Sequence, residues 1–593
     1  MSFPLALVAG FALLCYKSLP RNWTISVRPR SPPAVPVPPP SILHLLATND
    51  APDDTEISRI EEYILTLEAH LIDWETTHID SLSPESYRTI QVYDWEVQDL
   101  NRRIRRVGSQ DSFVLWHKDE FSIDKKPRHI AMLIRERDVL RKSIANCRNI
   151  LAPIRRLPVE LISKILRLVR AQSTEESSPW ILAHINSQWR ACAIQDASLW
   201  SKIVIGTDYY RQNFKQNFPV QILMLQLKLS RCTPLHIHFK WGCIGKTDAR
   251  HFWVLFNTVV PHCSRWEHLT LDGPFDPLTT NPLTSLHLLR PHFPLLHRLE
   301  FYADETWLHY PAPLLNIDCF LDAPNLREVL LLRPGVAYVD IFHSPSALLS
   351  IPWEQITRYR AAVPAQVHLE ILRRTKTLRE CQLMVPTPSV QSPSTPILLA
   401  ALHRLHVDDP TLLDFITAPA LRELFISHSL TPVLSFLYRS DTPQLTSLTI
   451  LRGHSFPKFA EILRLCPTLR HLCISLSIDI ARTDSCVLAL LTSLRDPELC
   501  PELVSFCWND ISSSVDSTTF DAYASALCSF VASRTTGTLR SVLLYFDHEY
   551  EYDPRIDELT EWEHDKLFVR VVHMRSSRAS EAGPLFWEVV NAP

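Results

Sequence analysis

Glycine is scarce. The chain has ten in 593 residues, far below the roughly 7% of average proteins, and the only close pair is Gly242 and Gly245. Phosphate-cradling loops, dinucleotide fingerprints and the nucleophile elbow of hydrolases all need clustered glycines for tight turns or close backbone approach. The commonest nucleotide-binding and hydrolase classes therefore lose their main support. Paired cysteines are lacking too: fourteen are spread from Cys15 to Cys528 without a Cys-x-x-Cys, the closest being Cys466/Cys473 and Cys500/Cys507. That argues against a zinc module or disulfide framework and suits a reducing compartment. Nor is there a charge excess. A net charge of −4 gives no global attraction to nucleic acid or acidic lipid.

Long apolar runs are missing except at 4–15 (PLALVAGFALLC), which falls short of the roughly 20 residues of a span. No positive side chain precedes it and no small-residue cleavage site follows, so a signal peptide is not expected either. Were 4–15 to anchor a membrane, the basic flank through Arg30 would leave the rest of the chain in the cytosol. The expected location is cytoplasmic and/or nuclear.

What is present is a large apolar fraction, 46%, enough to bury several cores or one long array. Residues 1–50 combine the apolar segment with a proline-dense linker, RPRSPPAVPVPPPS at 28–41. Residues 51–150 carry three stripes with apolar residues three and four apart. They are Ile57, Ile60, Ile64, Leu67, Leu71, Trp74; Ile90, Tyr93, Val97, Leu100, Ile104, Val107; and Ile130, Leu133, Leu140, Ile144, Cys147, Leu151, with Arg137 in a seam position. Each reaches about three heptads at most, so a helical hairpin is expected ahead of a dimerising coiled coil. The cluster Arg102-Arg103-Ile104-Arg105-Arg106 reads as a solvated helix face, since aromatic interleaving is lacking.

From residue 206 to 593 one pattern recurs: Pro, any residue, Leu, two polar residues, then apolar–x–apolar. Examples are PNLREVLLL (324–332), PALRELFI (419–426), PQLTSLTI (443–450), PTLRHLCI (467–474) and PELVSFCW (501–508). Looser copies bring the total to eleven, with the strand-centre apolar residue at 269, 299, 329, 356, 381, 405, 424, 448, 472, 506 and 542. That spacing suits one short strand plus a return helix or turn per unit, as in leucine-rich-repeat solenoids.

Between hairpin and repeats lies 151–205. Pro158 suits a first helical turn and Glu160 the positive end of its dipole. Leu161, Ile162, Ile165, Leu166 and Val169 then line one broad face; after a polar loop, Trp180, Ile181, Ile185, Trp189 and Cys192 follow at helical spacing. Leu157-Pro158-x-Glu160-Leu161, Ile165-Leu166, Ile185-x-x-x-Trp189-Arg190 and Leu199-Trp200 together resemble an F-box, the module that docks on the Skp adaptor of cullin–RING ubiquitin ligases. With the heptad segment before it, the layout resembles a group of mushroom-type (basidiomycete) fungal F-box proteins ending in irregular leucine-rich repeats. The F-box part covers about a tenth of the chain, and the loop at 171–179 separates the two helices more than the family does.

The resemblance implies an adaptor-binding set of Leu157, Pro158, Leu161, Ile165, Leu166, Ile185 and Trp189, with Skp and a cullin ligase as partners and an unknown protein substrate. The expected fold is thus α+β / α/β: a helical hairpin or short coiled coil, a three-helix F-box at 151–205, then the solenoid. The expected function is non-catalytic substrate recognition for a Skp–cullin–F-box ligase, needing no cofactor; the alternative is a repeat scaffold with no link to ubiquitin. Two groups hint at other chemistry. His236 and His238 share a face of an expected strand at metal-ligand distance, but without a visible third ligand they read as structural. The acidic run Glu549, Glu551, Asp553, Asp557, Glu558 reads as a solvated face or a docking strip for a basic partner, not a catalytic pair.

Overall fold

A computed structural model of the chain describes residues 36–48, 51–79, 82–94, 128–172, 179–185, 187–206, 218–240, 246–273, 286, 292–303, 318–332, 350–385, 395–455, 458–476, 484–510, 517–534, 537–547 and 568–574. These form two compact units, Met1–Ile194 and Gln195–Pro593. The apolar run 4–15, the basic cluster 102–106, the stripe positions 97–107 and the acidic run 549–558 lie outside the described residues. Among the described residues no helix is long and apolar enough to cross a membrane.

The N-terminal unit is helical. It contains α1 (Pro40–Thr48), α2 (Asp54–His78), α3 (84–94), α4 (Arg128–Ile150), α5 (Val159–Gln172), α6 (Pro179–Ala183) and α7 (Ser187–Gln195). Asp53 starts α2 with a capping box: its carboxylate accepts the Glu56 amide at 2.7 Å, and the Glu56 side chain accepts the Asp53 amide at 2.9 Å. Such a cap satisfies donors that a helix end otherwise leaves bare.

The heptad stripes close on one another within the chain. Ile60, Tyr63, Ile64 and Leu67 of α2 cluster with Ile144, Cys147 and Ile150 of α4. Further along, Trp74 clusters with Ile130, Leu133 and Leu140. The start of α2 thus meets the end of α4, and the two run antiparallel. Arg137, the charged seam residue, is buried and pairs through both terminal nitrogens with Asp94, at 3.0 and 2.5 Å. Tyr93 donates to Asp138 at 3.1 Å. This polar cluster fastens α3 to α4.

The second unit is mixed α/β, built on one long parallel sheet. Its strands are β1 (Lys202–Gly206), β2 (Leu235–Lys240), β3 (Trp266–Gly273), β4 (Arg298–Ala303), β5 (Glu328–Leu332), β6 (Arg358–Ala362), β7 (Glu380–Met384), β8 (Ile397–Leu398), β9 (Arg404–Val407), β10 (Ile416–Thr417), β11 (Glu423–Ser429), β12 (Ser447–Ser455), β13 (His471–Leu476), β14 (Ser505–Asp510), β15 (Ser541–Asp547) and β16 (Phe568–Met574). Fourteen of them pair in chain order, all parallel, while β8 and β10 form a separate parallel pair. Between parallel neighbours in chain order the chain must cross back to the start of the next strand. Several crossings are helices: α8 (Phe218–Leu229), α9 (Lys246–Val259), α10 (Ala365–Arg374), α11 (Thr431–Arg439), α12 (Phe459–Arg464), α13 (Asp484–Leu494) and α14 (Ser517–Arg534). The result is solenoid-like, each unit adding one rung.

Register explains the repeated motif. Leu269, Leu299, Val329, Tyr359, Cys381, Leu405, Leu424, Leu448, Leu472, Phe506 and Val542 are successive register partners. All lie in the core. Ten of the eleven sequence positions therefore fall on one column. The exception is the copy at 353–359, where Ile356 is not the strand residue but closes the preceding turn, its amide on the Trp353 carbonyl at 3.2 Å, and Tyr359 takes the column.

In four of the proline-led copies the proline is explained by the turn before the strand; in PQLTSLTI, the Leu445 amide bonds to the Pro443 carbonyl itself at 2.7 Å. In Ala323-Pro324-Asn325-Leu326 the Leu326 amide reaches the Ala323 carbonyl at 3.2 Å; Leu421 to Ala418, Leu469 to Cys466 and Leu503 to Cys500 repeat this at 3.2, 3.2 and 3.1 Å. Proline, with φ already fixed, sits at the second position of such a turn at little cost. The leucine that closes it is buried each time.

Candidate docking surfaces

The first surface grows out of the helix that follows Pro158. The Pro158 carbonyl accepts the amides of Leu161 and Ile162, each at 3.1 Å, and starts the first turn of α5. That helix has too many apolar residues for one interior seam, and the structure divides them. Ile162 and Leu166, four apart, are fully buried. Leu161, Ile165 and Leu168, at helical spacing of four and three, form a second stripe on which Leu161 and Leu168 are 47% and 52% exposed and Ile165 is half-buried. Val159, Val169, Ile181 and Ile185 add exposed apolar area in the same unit. Gln188 on α7 holds the approach turn through the Leu157 carbonyl at 3.4 Å, and Arg190 reaches the Ala183 carbonyl at 3.1 Å.

The expected adaptor-binding residues thus separate into two kinds. Pro158, Leu161 and Ile185 are exposed, and Leu157 and Ile165 half-buried. Leu166 and Trp189 are buried and cannot touch a partner without unfolding the unit; they brace the surface from beneath. The closing Leu199-Trp200 step does not belong to this unit. Both residues are buried in the second one, where Gln226 of α8 donates to the Trp200 carbonyl at 3.3 Å. The expected module 151–205 thus spans the division between the two units at Ile194 and Gln195.

The second surface is the non-core face of the long sheet. One register row there reads Arg298, Glu328, Arg358, Glu380, Arg404, Glu423 across six neighbouring strands. The signs alternate, and each carboxylate is paired. Glu328 lies 3.5 Å from Arg298 and 2.9 Å from Arg358; Glu380 lies 3.2 Å from Arg358 and 3.8 Å from Arg404; Glu423 lies 2.6 Å from Arg404. Opposite charges placed directly across a ladder stabilise the pairing, whereas like charges would oppose it.

Glu300, two residues further along the strand from Arg298, is nearly buried. Its neighbours are Arg298 at 2.5 Å, His268 at 3.1 Å and the Thr270 hydroxyl at 3.1 Å. Burial alone would raise its carboxyl, but the hydrogen bond and charge of His268, together with Arg298, outweigh that and hold it at about 2.

His236 and His238 do share this face. Each, however, is turned to a carboxylate of the next strand, His236 to Glu267 at 3.3 Å and His238 to Asp272 at 3.5 Å. That is the structural role expected of them. Burial, then the nearby His268, lowers the His236 pKa below its ordinary value.

The charge ladder is not among the expectations above, although its signal is in the sequence. The row occupies the second of the two polar positions in the motif, and aligning positions 298, 328, 358, 380, 404 and 423 displays the alternation. Comparison with models of known protein families finds no match to this chain, and comparison with curated proteins finds none.

Proposed function

We propose that the chain is the substrate-recognition subunit of a Skp–cullin–F-box ubiquitin ligase, with α5–α7 docking on the Skp adaptor and the sheet array, read as irregular leucine-rich repeats, holding a target protein. The single observation that carries this reading is the outward stripe Leu161, Ile165, Leu168 directly after Leu157-Pro158. Burying the exposed half of one such side chain is worth about 1 kcal/mol, so Val159, Leu161, Leu168, Val169, Ile181 and Ile185 supply roughly 6 kcal/mol before the costs of association. A small helical unit gains nothing from leaving that area in water, and contiguous exposed apolar patches mark interaction sites. The chain itself performs no chemistry on this reading. It raises the effective concentration of substrate lysines near the ubiquitin carrier.

The position of Leu199 and Trp200 favours a second reading, a repeat scaffold with no ubiquitin link, because part of the F-box resemblance falls in the other unit. Co-purification with the Skp adaptor separates the two. Wild-type chain retains the adaptor and Leu157→Asp/Pro158→Ala loses it if the ligase reading holds; a folded wild type that never retains it leaves the scaffold.

A further inference from the structure

The residue before each member of the charge ladder forms a second row, along the N-terminal edge of the sheet. Its members are joined by an unbroken chain of backbone hydrogen bonds. The Arg327 amide bonds to His297, Thr357 to Arg327, Arg379 to Thr357, His403 to Arg379, Arg422 to His403, Thr446 to Arg422, Arg470 to Thr446, Val504 to Arg470 and Arg540 to Val504, all at 2.8–2.9 Å. From Arg327 onward arginine occupies every second place in that chain, at 327, 379, 422, 470 and 540; at its start the His297 amide bonds to the Glu267 carbonyl at 2.8 Å, so the first such place is acidic.

These cations are not used up by the fold. Arg379 and Arg422 are exposed, and their side chains make no ion pair among the described residues. Arg327 and Arg540 are steadied on carbonyls of their own turns, at 2.9 and 3.0 Å from Pro324 and Leu326 and 3.0 Å from Gly537 and Leu539. Carbonyl contacts fix a guanidinium without neutralising it. Arg470 alone has a carboxylate among the described residues, Glu502 at 3.0 Å, in a pair more than 45% exposed on both sides, and such pairs contribute little. The neighbouring Glu328, Glu380 and Glu423 are each engaged by Arg298, Arg358 or Arg404. The inner row is therefore self-neutral, and among the described residues the edge row holds positive charge in excess.

We propose that this edge is a docking rail for an extended acidic polypeptide carrying a carboxylate at every third residue. Neighbouring strands lie about 4.8 Å apart, so successive rail arginines lie about 9.6 Å apart. In the extended polyproline-II conformation three residues make one turn and span about 9.3 Å, so every third side chain lies on one face. A peptide running across the strand ends thus meets one guanidinium per three residues, and each guanidinium offers a fork that fits a carboxylate. A nucleic-acid strand is the less suited polyanion, because the places beside the rail arginines include no Phe, Tyr or Trp and only His297 and His403 as rings for stacking. The rail does not depend on adaptor binding by the N-terminal unit.

The test uses the full chain and fluorescence anisotropy with three labelled probes. One is a peptide with glutamate at every third residue over five repeats; another has the same composition with its glutamates in one block; the third is a single-stranded oligonucleotide of equal charge. The variant is Arg379→Gln/Arg422→Gln, with Arg373→Gln/Arg464→Gln as a charge-matched control away from the rail. The spaced peptide is expected to bind tightest. The rail variant should weaken it by about three- to tenfold, with added salt narrowing the difference, and the control by less than about twofold. Equal binding of spaced and block peptides, equal effects of rail and control variants, or tighter binding of the oligonucleotide would each overturn the proposal.

Discussion

Replacing Glu300 by glutamine removes the most strongly engaged carboxylate of the sheet face while keeping its shape. A pKa held at about 2 against 4.5 corresponds to about 3 kcal/mol of stability. The folded-state value is the depressed one, so that contribution is complete above pH 4.5 and is lost as pH falls toward 2. About 1.4 kcal/mol of it is gone by about pH 3.5. The amide that replaces the carboxylate would keep part of the contact with Thr270 and Arg298, which makes 3 kcal/mol roughly an upper bound.

The measurement is the difference in urea unfolding free energy between wild type and Glu300→Gln at about pH 6 and about pH 3.5. Groups elsewhere that titrate in this range act on both proteins and cancel. The difference should be about 2–3 kcal/mol near neutrality and smaller by about 1 kcal/mol or more in acid. A difference that stays constant, or grows, with acid would refute the assignment of the charge pairing.

Further expectations concern other parts of the fold. His368 is fully buried between the Tyr359 hydroxyl and the Met384 carbonyl, each at 3.1 Å, and burial pushes it down to about 4 from 6.5. Its folded value is below the unfolded one, so stability falls as pH drops from 6.5 through 4; wild type should lose about 2–3 kcal/mol more than His368→Phe between about pH 7 and about pH 4.5 in urea titrations. Leu166→Ala should cost the N-terminal unit about 2–5 kcal/mol, whereas Leu161→Asp should change its stability little, within about 0.5 kcal/mol; equal effects would contradict the division of α5 into inward and outward stripes. Arg404→Gln leaves Glu423 without its closest cation, and a double-mutant cycle with Glu423→Gln should return a coupling of about 1 kcal/mol or more, an additive cycle meaning that the ladder contributes nothing to stability.

The repeats were legible because their periodicity has a direct physical cause. A buried leucine must close each turn, and alternate strand residues must enter the core, so both leave spaced apolar letters. Tyr359 escaped because a polar-tipped aromatic replaced the aliphatic residue, and Ile356 of its turn imitated the strand position. Strands β1, β2 and β16 extend the sheet beyond the eleven copies without the Leu-x-x-apolar-x-apolar spacing. On α5 the letters marked an apolar helix but not its division, since Leu161 and Ile162 look alike until a neighbour covers one of them. The charge ladder and the arginine rail show only when the motif copies are aligned by register, across gaps of 19 to 36 residues, and no single copy contains the alternation.

The central proposal rests on the outward stripe of α5, and calorimetric titration of the purified full chain with the Skp adaptor tests it most directly. Wild type should bind, and Leu161→Asp/Leu168→Asp, with its fold intact by circular dichroism, should bind at least about a hundredfold more weakly. Wild-type chain that binds no adaptor, or a stripe variant that binds it as tightly as wild type does, would contradict the proposed docking role of this surface.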